Sequence, residues 1–311
     1  MKNSEVKIVA GPCSIDTINI DEVHEIAEIS VKNADGKIQK AIYGTRIVGV
    51  KSRTELSSNG KGMGIDFPAL IQNMEILAKG GGIDDMIVPP SVNMAEQIVK
   101  KSNMLIATEV MMPSLQLPHY EGKIPHNKLM PWNPAVNQLG WQLWETVAFV
   151  KRNNWHVGIK NGKWVGEHLQ VANHHEYMGA TTMEKTWAGL TTFAGGMTGD
   201  IILIHRGVDV PDKGNYRNIP VHQIAKRAKL KSGAKLYFDP SHTYGPKLRD
   251  HIIHGTIDAM KMKINENEYL YEGALIEVGT STTDTEQHIT IKELKNLVEE
   301  INTFRTLANR I

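Results

Sequence analysis

The chain has 311 residues, enough for one large α/β domain or two smaller ones. Lys plus Arg number 35 against 34 Asp plus Glu, so no overall basic field points to nucleic acid or an anionic membrane. The single cysteine excludes an internal disulfide and fits a reducing compartment. With neither a targeting peptide nor a bilayer-spanning run in view, a cytoplasmic protein is expected.

In chain order, "KIVAG" at 7–11 predicts a first strand that runs into Cys13. "DEVHEIAEIS" predicts a helix with Val23, Ile26, Ala27 and Ser30 on one face. "YGTRIVGVK" predicts a second strand and "FPALIQNMEILAK" the helix after it. "LIATEV", "KLMPW", "WHVGIK" and "DIILIHR" predict the next four strands. "VHQIAKRAK" then predicts a helix, and "AKLYFD" and "ALIEV" the last two strands. In the final helix Ile291, Leu294, Leu297, Val298 and Ile301 recur at helical spacing, behind a capping box of Thr290 and Glu293.

The strand runs are continuous rather than alternating, as expected for parallel strands buried on both faces. Alternation with helices predicts an α/β fold, a (β/α)8 TIM barrel, over residues 1–311 as a single catalytic domain with no regulatory domain. A doubly wound sheet is the competing architecture, but no glycine-rich dinucleotide fingerprint or Walker sequence supports it. Residues 113–138, rich in Pro and Asn, predict a long loop on the barrel.

Barrel enzymes place their chemistry at the C-terminal ends of strands. The residues there are Cys13, Arg46, Lys51, Arg53, Thr54, Glu109, Lys160, Arg206, His242, Glu277 and, slightly beyond the last strand, Asp284. Cys13, His242, Glu277 and Asp284 combine soft, borderline and hard donors. The thiolate argues against Mg²⁺ or Ca²⁺ and leaves one divalent ion of Mn, Fe, Co or Zn. Arg46, Lys51, Arg53, Lys160 and Arg206 concentrate positive charge in a nearly neutral chain, which points to a substrate bearing phosphate and carboxylate. Singly, each has a bland reading: a buried thiol, a hydrogen-bonded histidine, a solvated lysine or a surface carboxylate. The set as a whole carries the functional reading.

Together these segments resemble the class I 3-deoxy-7-phosphoheptulonate (DAHP) synthases, which share a barrel with the 3-deoxyoctulosonate 8-phosphate (KDO8P) synthases. The resemblance runs through "AGPCSI", "RIVGVKSRT", "GIKNG", "IILIHRG", "DPSHTYG" and "IEVGTSTTDTEQHIT", in the family's order. It implies metal binding by Cys13, His242, Glu277 and Asp284. It also implies phosphoenolpyruvate binding by Arg46, Lys51, Lys160 and Arg206, and aldose phosphate binding by Arg53 and Thr54. Lys51, Lys160 and Glu109 would be the catalytic side chains, with Lys51 or a metal-bound water donating a proton to the aldehyde oxygen and Glu109 steadying a cationic centre or orienting water.

The implied activity is a metal-dependent condensation of phosphoenolpyruvate with erythrose 4-phosphate, the first step of the shikimate pathway to aromatic amino acids. "KSRT" lies closer to the heptulosonate pattern than to the octulosonate one. A KDO8P-like reaction with a different aldose is the alternative, and a catalytically inactive binding barrel is the alternative of another class. A homodimer or homotetramer is implied, with no nucleic-acid or membrane partner.

The sequence departs from the family where its fourth strand carries an arginine. Here "MPWNPAVNQ" places Trp132 or Asn133. Asn133 is then a substrate-binding candidate, with Lys128 or His126 as the nearby cations that would compensate. Loss of a charge-assisted phosphate contact costs about 1.5–3 kcal/mol, or one to two decades in affinity.

Overall fold

The computed structural model describes residues 4–49, 88–135, 137–162, 182–194, 201–210, 212–281 and 285–310. Eight parallel strands close on themselves: β1 (Glu5–Gly11), β2 (Gly44–Arg46), β3 (Leu105–Glu109), β4 (Leu129–Trp132), β5 (Val157–Lys160), β6 (Ile201–His205), β7 (Lys235–Phe238) and β8 (Gly273–Glu277). Each pairs with its neighbour, and β8 closes on β1 in a register that sets Lys7 opposite Gly273 and Gly11 opposite Glu277. This is the expected (β/α)8 TIM barrel, with helices between the strands.

Alternation along the strands divides the apolar side chains into two layers. Val9, Leu105, Ala107, Met130, Trp132, Ile202, Ile204, Tyr237 and Leu275 pack together in the inner core. The opposite parity, such as Ile8, Ile106, Leu203 and Ile276, packs outward with the helices. Gly158 of β5 makes room for the largest inner side chain. A Cβ there would stand 2.7 Å from the Cβ of Trp132 and 3.0 Å from Ile204 Cδ1.

The last helix, Ile291–Phe304, forms as its pattern predicts. Thr290 and Glu293 complete the capping box, and Leu294, Leu297, Val298 and Ile301 are buried. The first helix ends at Glu28, and Ser30 instead opens a short antiparallel ribbon of Ser30–Lys32 with Ile38–Lys40. The helical stripe therefore stops at Ala27. The helix expected over 67–79 lies outside the described residues.

Residues 113–138 do not form one long loop. Pro113–Gln116 is helical, Leu117–Tyr120 is a 3-10 turn, and Leu129–Trp132 is β4 itself. Proline at the first helical positions is compatible with both helical turns, so this composition was a poor sign of irregular chain.

At the N-terminal end, Arg305 donates to the carbonyls of Ser4, Glu5, Met260 and Tyr271. Arg310 donates to those of Ala27, Ile42 and Ser102. These contacts seal that face and leave the C-terminal mouth as the end available for chemistry. Among the described residues, no helix is long and apolar enough to cross a membrane.

Outside the barrel wall, His205 Nδ1 and His222 Nδ1 meet the Tyr271 hydroxyl at 2.8 and 2.7 Å. One hydroxyl proton allows a donation to one ring and an acceptance from the other. Burial holds His205 well below its ordinary range and brings His222 down to about 4. Both rings are then neutral in the folded chain and take up protons on unfolding below the ordinary histidine value of 6.5. Their contribution is complete above that pH and drains away as pH falls toward 4, at up to about 1.4 kcal/mol per pH unit for each group. Thermal melts should therefore fall more steeply across this window for the wild type than for a His205→Asn, His222→Gln double variant. Equal slopes would remove the pair as the cause.

Candidate active site

Extending each strand's inward parity by one position builds the site. Val9 and Gly11 lead to Cys13, Gly44 to Arg46, Ala107 to Glu109 and Met130 to Trp132. Gly158 leads to Lys160, Ile204 to Arg206, Tyr237 to Asp239 and Leu275 to Glu277. All eight are buried. Apart from Cys13 and Trp132 they are three cations, Arg46, Lys160 and Arg206, and three carboxylates, Glu109, Asp239 and Glu277.

Arg46 pairs with Glu277, Nη2 to Oε1 at 2.9 Å, and its Nε donates to the Pro12 carbonyl at 3.2 Å. Burial works against the guanidinium, but Glu277, Cys13, Asp239 and Glu109 together hold its pKa above the ordinary value. Lys160 Nζ stands 3.0 Å from Asp239 Oδ2, and burial lowers its pKa while Asp239 opposes that shift. Asp239 also accepts from His242, whose Nδ1 lies 3.0 Å from Oδ1. Burial by itself would raise the Asp239 carboxyl, yet His242 and Lys160 hold it well below the usual carboxylate range.

Trp132 is the hub of this arrangement. Its ring lies 5.5 Å from the Arg46 guanidinium carbon and 5.4 Å from Lys160 Nζ. Its indole Nε1 donates to Glu109 Oε2 at 3.4 Å. The inward place on β4 therefore belongs to Trp132 and not to Asn133. Asn133 instead clamps β4 to β5, accepting from Lys160 N at 2.9 Å and donating to Lys160 O at 3.2 Å. These contacts give Asn133 a positioning role between the strands, where the sequence suggested a substrate ligand. Nor does Lys128 compensate. It precedes β4, at the sealed end of the barrel, and donates to the Asn103 carbonyl at 2.9 Å. His126 stands two residues earlier, on the same side.

The loops that follow β1 and β8 are tied together. Asn19 Nδ2 donates to the Ser14 and Thr280 carbonyls at 2.8 and 3.0 Å, and the Ser14 and Ser281 hydroxyls lie 2.8 Å apart. With Gly11 opposite Glu277, Cys13 is thereby held at the Glu277 end of the site. His242 Nε2 faces Glu277 Oε1 at 3.7 Å, while its Nδ1 is fixed by Asp239. A histidine oriented through Nδ1 by a carboxylate, with Nε2 toward a second carboxylate, fits the donor chemistry of a divalent metal. Among the described residues, no three His, Cys, Asp or Glu side chains are gathered closely enough to hold the ion. The fourth expected donor, Asp284, lies outside the described residues, as do Lys51, Arg53 and Thr54.

Sequence parity already implied Trp132 and Asp239. Three further side chains hold these groups in place. Gln287 donates to Glu277 Oε2, and Arg217 in turn donates to Gln287. Asn161 fixes Arg206 from below, accepting from its backbone N–H at 2.9 Å and donating to the Gly207 carbonyl at 3.0 Å.

No family model matches the sequence, and no curated protein does. Solved structures do match. The chain is similar to the phospho-2-dehydro-3-deoxyheptonate aldolase (DAHP synthase) of Thermotoga maritima, with a TM-score of 0.65 at 18% identity over 98% of this chain and 72% of that one. It is similar also to the truncated form of 3-deoxy-D-arabino-heptulosonate 7-phosphate synthase from the same organism. There the TM-score is 0.63 at 17% identity, over 98% of this chain and 90% of that one. The chain thus has the fold of these synthases, at strongly divergent sequence.

Proposed function

We propose that the chain is a C–C bond-forming transferase that condenses phosphoenolpyruvate with erythrose 4-phosphate and water to give 3-deoxy-7-phosphoheptulonate and inorganic phosphate. The observation that carries this reading is the convergence of Arg46, Lys160 and Arg206, with Glu109, Asp239 and Glu277, at the open mouth of a barrel of the synthase fold. In this reading it works at the head of aromatic amino acid biosynthesis, as a cytoplasmic homodimer or homotetramer.

C3 of phosphoenolpyruvate attacks the aldehyde carbon, and the carbonyl electron pair moves to its oxygen, which takes a proton. Water adds at the cationic C2 and loses a proton. The bond from C2 to the phosphate ester oxygen then breaks, its electron pair leaves with phosphate, and the new C2 hydroxyl gives up its proton as C2 becomes a ketone. Arg46 and Arg206 suit carboxylate and phosphate because a guanidinium offers paired donors. Lys160 faces the leaving phosphate as a compact cation. Glu109, fixed by the Trp132 indole, places negative charge where C2 becomes positive. Asp239, shared by Lys160 and His242, fixes both side chains relative to one another. One divalent ion of Mn, Fe, Co or Zn, held by Cys13, His242, Glu277 and Asp284, would supply Lewis acidity at the acceptor aldehyde. Lys51 would donate the proton to the aldehyde oxygen, and Arg53 and Thr54 would hold the acceptor's phosphate.

The test is phosphoenolpyruvate consumption by the Mn²⁺-loaded protein with erythrose 4-phosphate, with arabinose 5-phosphate or with no acceptor, and with a chelator control. Consumption that requires erythrose 4-phosphate and metal is the expected result. Preference for arabinose 5-phosphate would move the chain to the octulosonate reaction, and no consumption with either would sink the reading. Elemental analysis of Cys13→Ala should show most of the metal lost; full retention would remove Cys13 from the ligand set.

A further inference from the structure

The fourth strand brings an indole to the mouth where a phosphate site needs a cation, and one neighbouring cation has a donor to spare. Arg206 is 3% exposed, yet among the described residues its Nη1 is buried without a hydrogen-bond partner. A buried charged N–H group left open is costly unless a ligand answers it. The carboxylates around Arg206 are engaged elsewhere: Asp239 with Lys160 and His242, Asp209 with Lys213, Glu109 with Trp132.

A second guanidinium is held beside it. The chain after β6 folds back on itself, with Val208 and Ile219 bonded to each other through both backbone pairs, at 3.0 and 2.8 Å. It then docks on the turn that carries His242. Arg217 N donates to the Tyr244 carbonyl at 3.3 Å, Asn218 N to Thr243 at 3.0 Å, and Asn218 Nδ2 to His242 O at 2.5 Å. The Arg217 side chain crosses Gly245, where a Cβ would stand 2.5 Å from its Cβ and 3.2 Å from its Cδ. Gly245 also has φ +67°, so it suits the backbone as well as the passage. Past it, Arg217 reaches Gln287, which is bonded to Glu277, so the guanidinium ends at the mouth. Its charge bears on Arg206, whose guanidinium is brought down to about 10 by burial first and by Arg217 next.

We infer that Arg206 and Arg217 form a two-guanidinium seat for the donor's phosphate group, with Arg217 supplying the positive charge that β4 does not carry. This rests on the reading of phosphoenolpyruvate as donor and names the residue that completes its site.

Binding is measured by titration calorimetry with phosphoenolpyruvate and, separately, with inorganic phosphate, so the result does not depend on turnover. Arg217→Gln should weaken both by about tenfold or more, and Arg217→Lys should recover part of the loss. Gly245→Ala removes no charge but blocks the passage, and should weaken both as well. Arg152→Gln, on the far surface, controls for net charge and should bind as the wild type does. Circular dichroism and melting establish that each variant is folded. Wild-type affinity in Arg217→Gln would overturn the inference, as would an Arg217→Lys variant no better than the glutamine one. A loss confined to erythrose 4-phosphate in kinetic assays would overturn it too. Phosphate binding that depends on Arg217 in a protein that consumes no phosphoenolpyruvate would leave the seat standing and defeat the proposed reaction instead.

Discussion

Lys160→Met is expected to lower turnover by about 100- to 1000-fold, and in the same variant to lower the melting temperature by roughly 10 °C. The two losses have separate causes. Methionine keeps the length and apolar stem of lysine, so the inner core stays filled. What disappears is the charge 3.0 Å from Asp239 and 5.4 Å from the Trp132 ring centre. Asp239 is fully buried, and of the groups that hold its carboxyl down, His242 and Lys160 before the more weakly acting Arg46, it loses the lysine. Removing one member of a buried pair costs about 3–5 kcal/mol because the other charge is stranded. Turnover suffers because the leaving phosphate loses a fixed cation. Measuring kcat and melting together separates these roles. A stability loss with turnover within tenfold of wild type would make Lys160 a structural partner of Asp239 and remove it from the mechanism.

The shape of the site explains why the charges tolerate burial. Arg46 and Lys160 each sit against a carboxylate and near the Trp132 face, and the pairs are linked through shared members. Arg46 meets Glu277, Glu277 faces His242, His242 meets Asp239, and Asp239 meets Lys160. A displacement at one end of this chain of contacts is felt at the other, so the donor side and the His242 side are positioned as one unit.

The barrel was legible because its strands are continuous apolar runs between amphipathic helices, and the last helix because its stripe and capping box agree. Most of the charged ring was legible too: Arg46, Glu109, Lys160, Arg206 and Glu277 end their strands at inward positions. On the fourth strand the sequence left Trp132 and Asn133 open, and the same parity count separates them, since stepping from Met130 by two reaches Trp132. Lys128 was misjudged for a directional reason, because a residue that precedes a strand lies at the opposite end of the barrel from the chemistry. Ser30 satisfied the helical spacing, but the chain had already turned at Ile29, where no spacing rule applies. Arg217 could not have been found. Its position depends on backbone bonds to residues 243 and 244, and on the absence of a side chain at Gly245, and none of these is local in sequence.

Restoring a fourth-strand arginine by Trp132→Arg should damage the protein. The indole is fully buried, and its face serves both Arg46 and Lys160 while its Nε1 serves Glu109. An arginine in its place would leave part of that volume empty, since Gly158 is shaped to a broad ring, and would set a third positive charge beside two others. Truncating a buried tryptophan costs about 3–5 kcal/mol before any repulsion is counted, so the variant should melt at least 10 °C lower, roughly, or fail to fold. Trp132→Phe keeps an aromatic face and loses the bond to Glu109, worth about 1 kcal/mol, together with part of the ring's volume, and should turn over within tenfold of the wild type. The comparison decides how the donor's phosphate is held. If Trp132→Arg is as stable as the wild type and binds phosphoenolpyruvate more tightly, the β4 position is an unfilled phosphate contact, and Arg217 has no vacancy to answer. If Trp132→Phe is active while Trp132→Arg collapses, the tryptophan is the cation-bearing wall of the site and the phosphate must be held from the β6 side.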